Sequence, residues 1–275
     1  MSVPSASRSE GVLGIVGCEV LTDEMVHVIA LEERLKAVVV VESKESEDAY
    51  EKLRKLAPDK KVMKSGEGEM WSNVPSERPT ALLMVMPIAL HQAPAELREK
   101  VMFKLLELGG LCESIVVFYG LCGNAFREID RLVSGLRVPV TILRDCKDKI
   151  VDDCIGATLG GTEEYYHYLR EEHGEYPLNT MWAHKWRDYM HETQLLRDPN
   201  DVEEAKMVFS CMGYSKVTML DTGLGDRAAY EREVNEFAGL FGLSVKRLEC
   251  HPNVTEGSFR RAVERLKMPS NSGPI

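Results

Sequence analysis

The sequence predicts an α/β protein with a parallel, doubly wound sheet, organised as two Rossmann-like lobes with a site between them. Short apolar runs rich in β-branched residues recur along the chain, AVVVV at 37–41 among them, and read as buried strands. Stretches with helical apolar spacing separate them, an alternation that implies parallel strands joined by right-handed crossovers. Two runs stop at glycine turns that lead into helices, GLCG at 120–123 and GLG at 223–225. In open α/β sheets such turns gather at the carboxyl edge, where ligands bind.

In chain order, residues 1–10 read as a tail, and Val12–Gly17 is a strand ending at Cys18. Thr22 is placed to cap a helix whose apolar face is Met25, Val28, Ile29 and Leu35. Ala37–Val41 is the second strand, followed by an acidic helix from Glu45 to Leu56. Residues 58–79 lack periodicity and hold at most one short element. Ala81–Met86 is the third strand, and a helix from Pro94 to Leu108 closes at Gly109-Gly110. The run Ile115–Tyr119 is a buried strand that breaks at Gly120, and helical spacing resumes at Phe126, Ile129, Leu132 and Val133. Val138–Leu143 is another strand, its Pro139 marking an edge or a strand start.

From Arg144 to about Asn200 the alternation lapses. A helix-like stretch opens at Cys154, Thr162 is an N-cap candidate for the next helix, and the aromatic segment Met181–Trp186 is suited to cover a pocket. Strand and helix alternate again with a helix over Val202–Cys211, a strand at Lys216–Leu220, a helix over Arg227–Phe241, a strand at Ser244–Leu248 and a helix from Gly257 to Leu266. The division is a tail at 1–10, a first lobe at 11–150, a helical connecting segment at 151–200, a second lobe at 201–268 and a tail at 269–275. GLCGNAFREIDRLVSGLRVPVTIL and GLGDRAAYEREVNEFAGLFGLSVKRL share one layout of turn, helix, turn and strand, as two related halves would.

A length of 275 residues suffices for one large or two modest cores. The formal charge of −10 opposes a nucleic-acid or anionic-membrane partner, which would call for a basic patch. No apolar run reaches the roughly 18–20 residues that span a bilayer, and the first residues lack the apolar stretch of a secretory signal. The expectation is a cytoplasmic protein with a small-molecule ligand. Its seven cysteines are then free thiols or metal ligands rather than disulfides. No CxxC pair occurs, so a zinc-ribbon or thioredoxin reading has no local support.

Cys18 and Cys122 each follow a strand of the first lobe, which puts both at one sheet edge. Cys154 follows Asp152-Asp153 near a helix start. Three thiolates suit zinc or an iron–sulfur cluster and leave one metal position open for a ligand; the same residues also read as small buried hydrophobes. Gly120, Gly123 and Asn124 let the backbone approach a bound group closely. Gly160 and Gly161 could receive an anion at the following helix or simply cap it. Cys146, flanked by Lys147 and Lys149, looks exposed, whereas Cys112, Cys211 and Cys250 look structural. Asp221, Gly223, Gly225, His184, His251, Trp182 and Trp186 each admit a site role and an ordinary structural one.

GCEVL around Cys18, YGLCGNA around Cys122 and DDCIGATLGGTEEYY around Cys154 together resemble an uncharacterised family, a domain of unknown function found largely in methanogenic archaea and other anaerobes. The resemblance runs from about Val12 to Leu248. Phe118-Tyr119-Gly120 stands where the family tends to have Gly-Tyr-Gly, and Met181 and Ala183 depart from a family segment with proline, glycine and tryptophan. The resemblance implies that Cys18, Cys122 and Cys154 are the matching cysteines. It also implies an anaerobic setting near corrinoid-dependent methyl transfer, without naming a reaction.

Three readings follow. In the first, the three cysteines hold a metal centre, a [4Fe–4S] cluster before zinc, that acts on a small molecule with corrinoid or methyltransferase proteins as partners. In the second, the chain is a non-catalytic cofactor-binding or chaperone protein for a methyltransferase system. In the third, Cys122 is the nucleophile of a metal-free enzyme.

Overall fold

The computed structural model of the chain describes residues 10–69, 72, 74–198 and 200–267; apart from Glu10, the expected tails lie outside them. Six strands form the main sheet: β1 (Val12–Cys18), β2 (Ala37–Val41), β3 (Lys61–Ser65), β4 (Thr80–Met86), β5 (Ser114–Phe118) and β6 (Val140–Ile142). Their order is β3-β2-β4-β1-β5-β6, and every pairing is parallel. The two most central strands, β4 and β1, are buried on both faces except at Cys18, as parallel sheets under two helical layers are. β6, the Pro139 strand, lies at the edge.

The helices are α1 (Thr22–Leu31), α2 (Glu47–Leu56), α3 (Pro94–Gly109), α4 (Ile129–Val133), α5 (Cys154–Leu159), α6 (Thr162–Glu171), α7 (Thr180–Glu192), α8 (Val202–Cys211), α9 (Arg227–Phe241) and α10 (Asn253–Val263). On one face of the main sheet, α1, α2 and α10 bury Met25, Ile29, Leu53 and Phe259 against Leu13, Ile15 and Val38. On the other, α3 and α4 bury Leu97, Val101, Leu105 and Ile129 against Val12, Val16 and Ile115. The helix after β1 therefore takes one face and the helix after β5 the other. Those strands are neighbours, and the reversal opens a crevice at their carboxyl ends, the topological switch point of an open α/β sheet.

A second sheet pairs β7 (Glu175–Leu178), β8 (Lys216–Asp221) and β9 (Ser244–Glu249) in that order, all parallel. Helices α7, α8 and α9 cover one face with an aromatic core, in which the Phe209 and Phe241 rings stack at 4.8 Å. On the other face Leu220 and Leu248 meet Ile155 and Leu159 of α5. After β9, α10 crosses back and packs on β5 and β6. No helix among the described residues is long and apolar enough to cross a membrane.

Several local expectations need correction. The segment 151–200 is not wholly helical: β7, with sequence EYPL, pairs with β8 despite its proline and acid. The aromatic stretch is a helix, α7, capped where Asn179 Oδ1 accepts from the Trp182 N–H (3.0 Å). The helix after the Cys122 turn spans only Ile129–Val133, because Cys122, Gly123 and Asn124 all have left-handed φ. The last helix starts four residues before Gly257 and ends at Val263. Thr22 and Thr162 lie inside their helices rather than at the caps; their hydroxyls donate to the Glu19 and Ile150 carbonyls (2.7 and 3.2 Å).

Candidate functional site

Three chain segments reach the crevice. β1 ends at Cys18, from which the 3-10 turn Glu19–Leu21 leads into α1. β5 ends at Phe118, and the chain then turns through Tyr119 to Asn124. Cys122 and Asn124 hold φ of 45° and 67°, a conformation that costs a non-glycine residue about 1–2 kcal/mol and that clusters at functional sites. The turn is held there by the third segment: the N–H groups of Leu121 and Cys122 donate to the Val151 and Asp152 carbonyls, each at 2.8 Å. Gly120 makes this approach possible, since a Cβ there would overlap the Val151 carbonyl oxygen and stand 2.9 Å from Asp153 N. The same segment continues into α5, which begins at Cys154. Asp153 fixes that start: its Oδ1 accepts from the Gly156 N–H (2.8 Å), and its Oδ2 accepts from the Tyr165 hydroxyl (3.2 Å).

Cys18, Cys122 and Cys154 line one cavity of about 150 Å3 at this edge, whose other walls are mostly apolar, including Ile88, Phe118 and Trp182. Burial pushes the Cys18 thiol up to about 12 and also raises those of Cys122 and Cys154. The thiols act on one another as well: Cys18 raises Cys122, and both raise Cys154. Cys122 is buried and Cys18 and Cys154 are half-buried, and three such thiols in mutual range stay protonated at neutral pH unless a cation draws off their protons. Among the described residues, no group of three or more His, Cys, Asp or Glu side chains stands in an arrangement that would hold a metal ion. The donor set itself, soft sulfur in a small, mostly apolar cavity, fits zinc or iron, and its thiols would have to close on the metal.

A buried acid lies behind Cys18. Glu19 Oε1 accepts from the Ile88 N–H (2.7 Å), and Oε2 is 3.9 Å from Lys185 Nζ, which also meets Asp48 at 2.5 Å. Burial raises the Glu19 carboxyl despite these partners. Tyr119 completes the cavity wall. It is 4 % exposed, and its hydroxyl has no hydrogen-bond partner among the described residues.

Gly120, Gly123 and Asn124 belong to the cysteine turn, but Gly160 and Gly161 do not reach the cavity. Both are caps: Gly160 ends α5 and Gly161 opens α6, and Gly160 borders a second, wider cleft of about 640 Å3. That cleft also collects Cys146, Cys250 and His251 among arginines and acids. His184 pairs with Glu233 at the surface (2.8 Å), and Trp186 is buried in the second sheet's core. Asp221 pairs with Arg247. Cys112 is buried in the main core, and Cys211 is exposed. Tyr119 ends an otherwise apolar strand run, and its hydroxyl there is the sequence signal for its place in the cavity wall. Of Glu19, only the motif resemblance gave a hint.

Residues 85–257 match the family model described as "Protein of unknown function (DUF1638)". The chain belongs to that family. The matched region holds Cys122 and Cys154 together with the tether between them, while Cys18 comes from the preceding part of the chain. No curated protein and no solved structure matches the chain.

Proposed function

We propose that Cys18, Cys122 and Cys154 hold a metal centre that binds a small molecule, with a [4Fe–4S] cluster the first choice and zinc the alternative. The observation that carries this reading is the convergence of three cysteines, far apart in sequence, on one small cavity at the switch point of the sheet. Cysteines that merely filled the core would have no reason to meet where ligands collect. When bound, such a centre supplies one open metal position for Lewis-acid or electron-transfer chemistry. The chain's own part is to hold the donors: the Val151–Asp152 tether fixes Cys122, the Asp153 cap fixes Cys154, and apolar walls keep bulk water out.

The cavity is smaller than the roughly 300–1,000 Å3 of drug-sized sites. A corrinoid would thus meet this protein as a cofactor on a partner, not as an occupant of the cavity. We place the protein, on its motif resemblance, in anaerobic metabolism linked to corrinoid-dependent methyl transfer. The cofactor-carrying chaperone reading fits less well, since the cavity has no room for a macrocycle.

Metal and sulfide analysis with visible absorption, on protein purified without oxygen, tests the reading. A cluster gives ~4 iron and ~4 sulfide per chain and a brown colour; zinc gives about one ion per chain and no colour. Protein that binds neither iron nor zinc after anaerobic reconstitution contradicts it.

A further inference from the structure

β9 leaves one side of its main chain unpaired. It is an edge of the second sheet and pairs with β8 alone among the described residues. Ser244 N donates to the Ser215 carbonyl (3.1 Å) and Cys250 N to that of Asp221 (2.8 Å), which fixes the phase of the strand. The even-numbered residues bond to β8, so Val245, Arg247 and Glu249 turn their N–H and C=O groups outward. Such an edge is a template for another strand, and most are short, bulged, or guarded by lysine or proline. The other edges here follow that rule: β6 has three residues, β7 has four and a proline, and β3 carries Lys61 and Lys64. β9 runs six residues without a bulge and is largely exposed, Val245 by 43 %. Its Lys246 is no guard, because Glu172 and Glu175 hold the ammonium (2.6 and 3.3 Å).

The charges along β9 choose the occupant. Two copies that meet edge to edge about a twofold axis normal to the sheet run antiparallel, each presenting the same surface. Outward-facing residues then oppose one another in hydrogen-bonded pairs. An axis at Lys246, Arg247 or Glu249 sets like charges face to face. An axis at Val245 would draw on residues before Ser244, where Gly242 is the left-handed cap of α9. An axis at Leu248 sets Arg247 opposite Glu249 on both sides and Leu248 opposite itself. Arg247 and Glu249 share the face of α9, where Arg247 meets Glu231 (3.8 Å). Arg247 also pairs with Asp221, yet its side chain is 44 % exposed, and Glu249 is exposed with no ion-pair partner among the described residues. We propose that β9 is a dimerisation strand: two copies of this chain pair antiparallel about Leu248 and join their three-stranded sheets into one. The pairing makes about four main-chain hydrogen bonds and an Arg247–Glu249 ion pair on each side of the axis. It is independent of the cysteine cavity.

Sedimentation velocity from about 1 to 200 µM tests the proposal, a range suited to a small interface. Wild type is expected to show a reversible monomer–dimer equilibrium. Arg247→Glu and Glu249→Arg each set like charges opposite one another and should raise the dimer Kd about tenfold or more. The double variant, and an equimolar mixture of the two single variants, oppose unlike charges again and should return the Kd to within about threefold of wild type. Glu249→Arg breaks no ion pair of the fold, so it decides alone should far-UV circular dichroism show Arg247→Glu unfolded. A monomer throughout the range, a dimer indifferent to Glu249→Arg, or a folded double variant and mixture as weak as the single variants overturns the proposal.

Discussion

After β5 the chain turns through Gly120-Leu121-Cys122-Gly123, and after β8 through Gly223-Leu224-Gly225-Asp226; both turns lead on to a helix. In the second turn the polar side chains are used locally. Asp226 caps α9 by accepting from Ala229 N (3.0 Å), and Asp221 accepts from Gly223 N (2.9 Å) while pairing with Arg247. In the first, the turn is tied to the segment before Cys154, and the hydroxyl of Tyr119 has no partner among the described residues. Cys250 sharpens the contrast. It follows β9 much as Cys18 ends β1, yet it packs behind Ile155 and Leu220 and lines the wider cleft rather than the cavity of the three thiols. A strand-end position is therefore common to both sheets, and what differs is convergence. In the main sheet the helices after the adjacent strands β1 and β5 part to opposite faces and leave a crevice for thiols to enter.

The contrast breaks most severely at Gly120. Gly120→Ala forces a methyl group into the Val151 carbonyl, and we expect a loss of about 3 kcal/mol together with loss of the metal site. Gly223→Ala meets nothing within 4 Å and disturbs only a left-handed φ of 73°, so about 1 kcal/mol and unchanged metal binding are expected. Urea unfolding of both variants checks the difference; equal costs would remove the tether from the account.

α1 reaches the second turn, where Asp23 meets Gly225, and its neighbour Glu24 is buried. Burial, then the adjacent Asp23, raises the Glu24 carboxyl to about 8. The folded protein thus keeps this proton to about pH 8, while the unfolded chain loses it near 4.5. The contribution is fully present below the unfolded value and is lost as pH rises through the folded one. Tm should fall between about pH 5 and 8 and flatten in Glu24→Gln. A variant that keeps the wild-type slope assigns it elsewhere.

The smallest expected effects lie at the helix caps. Asp153→Ala and Asp226→Ala each remove a side-chain cap from a helix N-terminus, worth about 1 kcal/mol. Only the first should lower metal content, because α5 carries Cys154. Thermal melts and metal analysis on the pair decide it, and equal metal in both variants would show that the cap does not position the thiol.

Much of this organisation was legible because its causes are local. A five-residue run of alanine and valines can hardly be anything but a buried strand, and β2 spans that run. The strand-end position of Cys18 and Cys122 followed from the α/β alternation alone. β7 was not legible, since EYPL has neither β-branched residues nor alternation, and its pairing with β8 is what makes it a strand. Thr162 has a capping side chain, but Gly161 takes the cap with φ of 149°, a conformation closed to threonine. For Gly160 and Gly161 the sequence leaves an anion site and a helix cap open together, because both use the same residue types, and the fold puts the pair at the caps of α5 and α6. The orphaned hydroxyl of Tyr119 is a property of its surroundings, which no run of residues spells out.

The most direct test is metal content, measured on folded, oxygen-free protein, across Cys18→Ala, Cys122→Ala, Cys154→Ala and Cys250→Ala. The account predicts that each of the first three loses most of its bound metal while Cys250→Ala retains the wild-type amount. Wild-type metal in any of the first three, with far-UV circular dichroism unchanged, would contradict it.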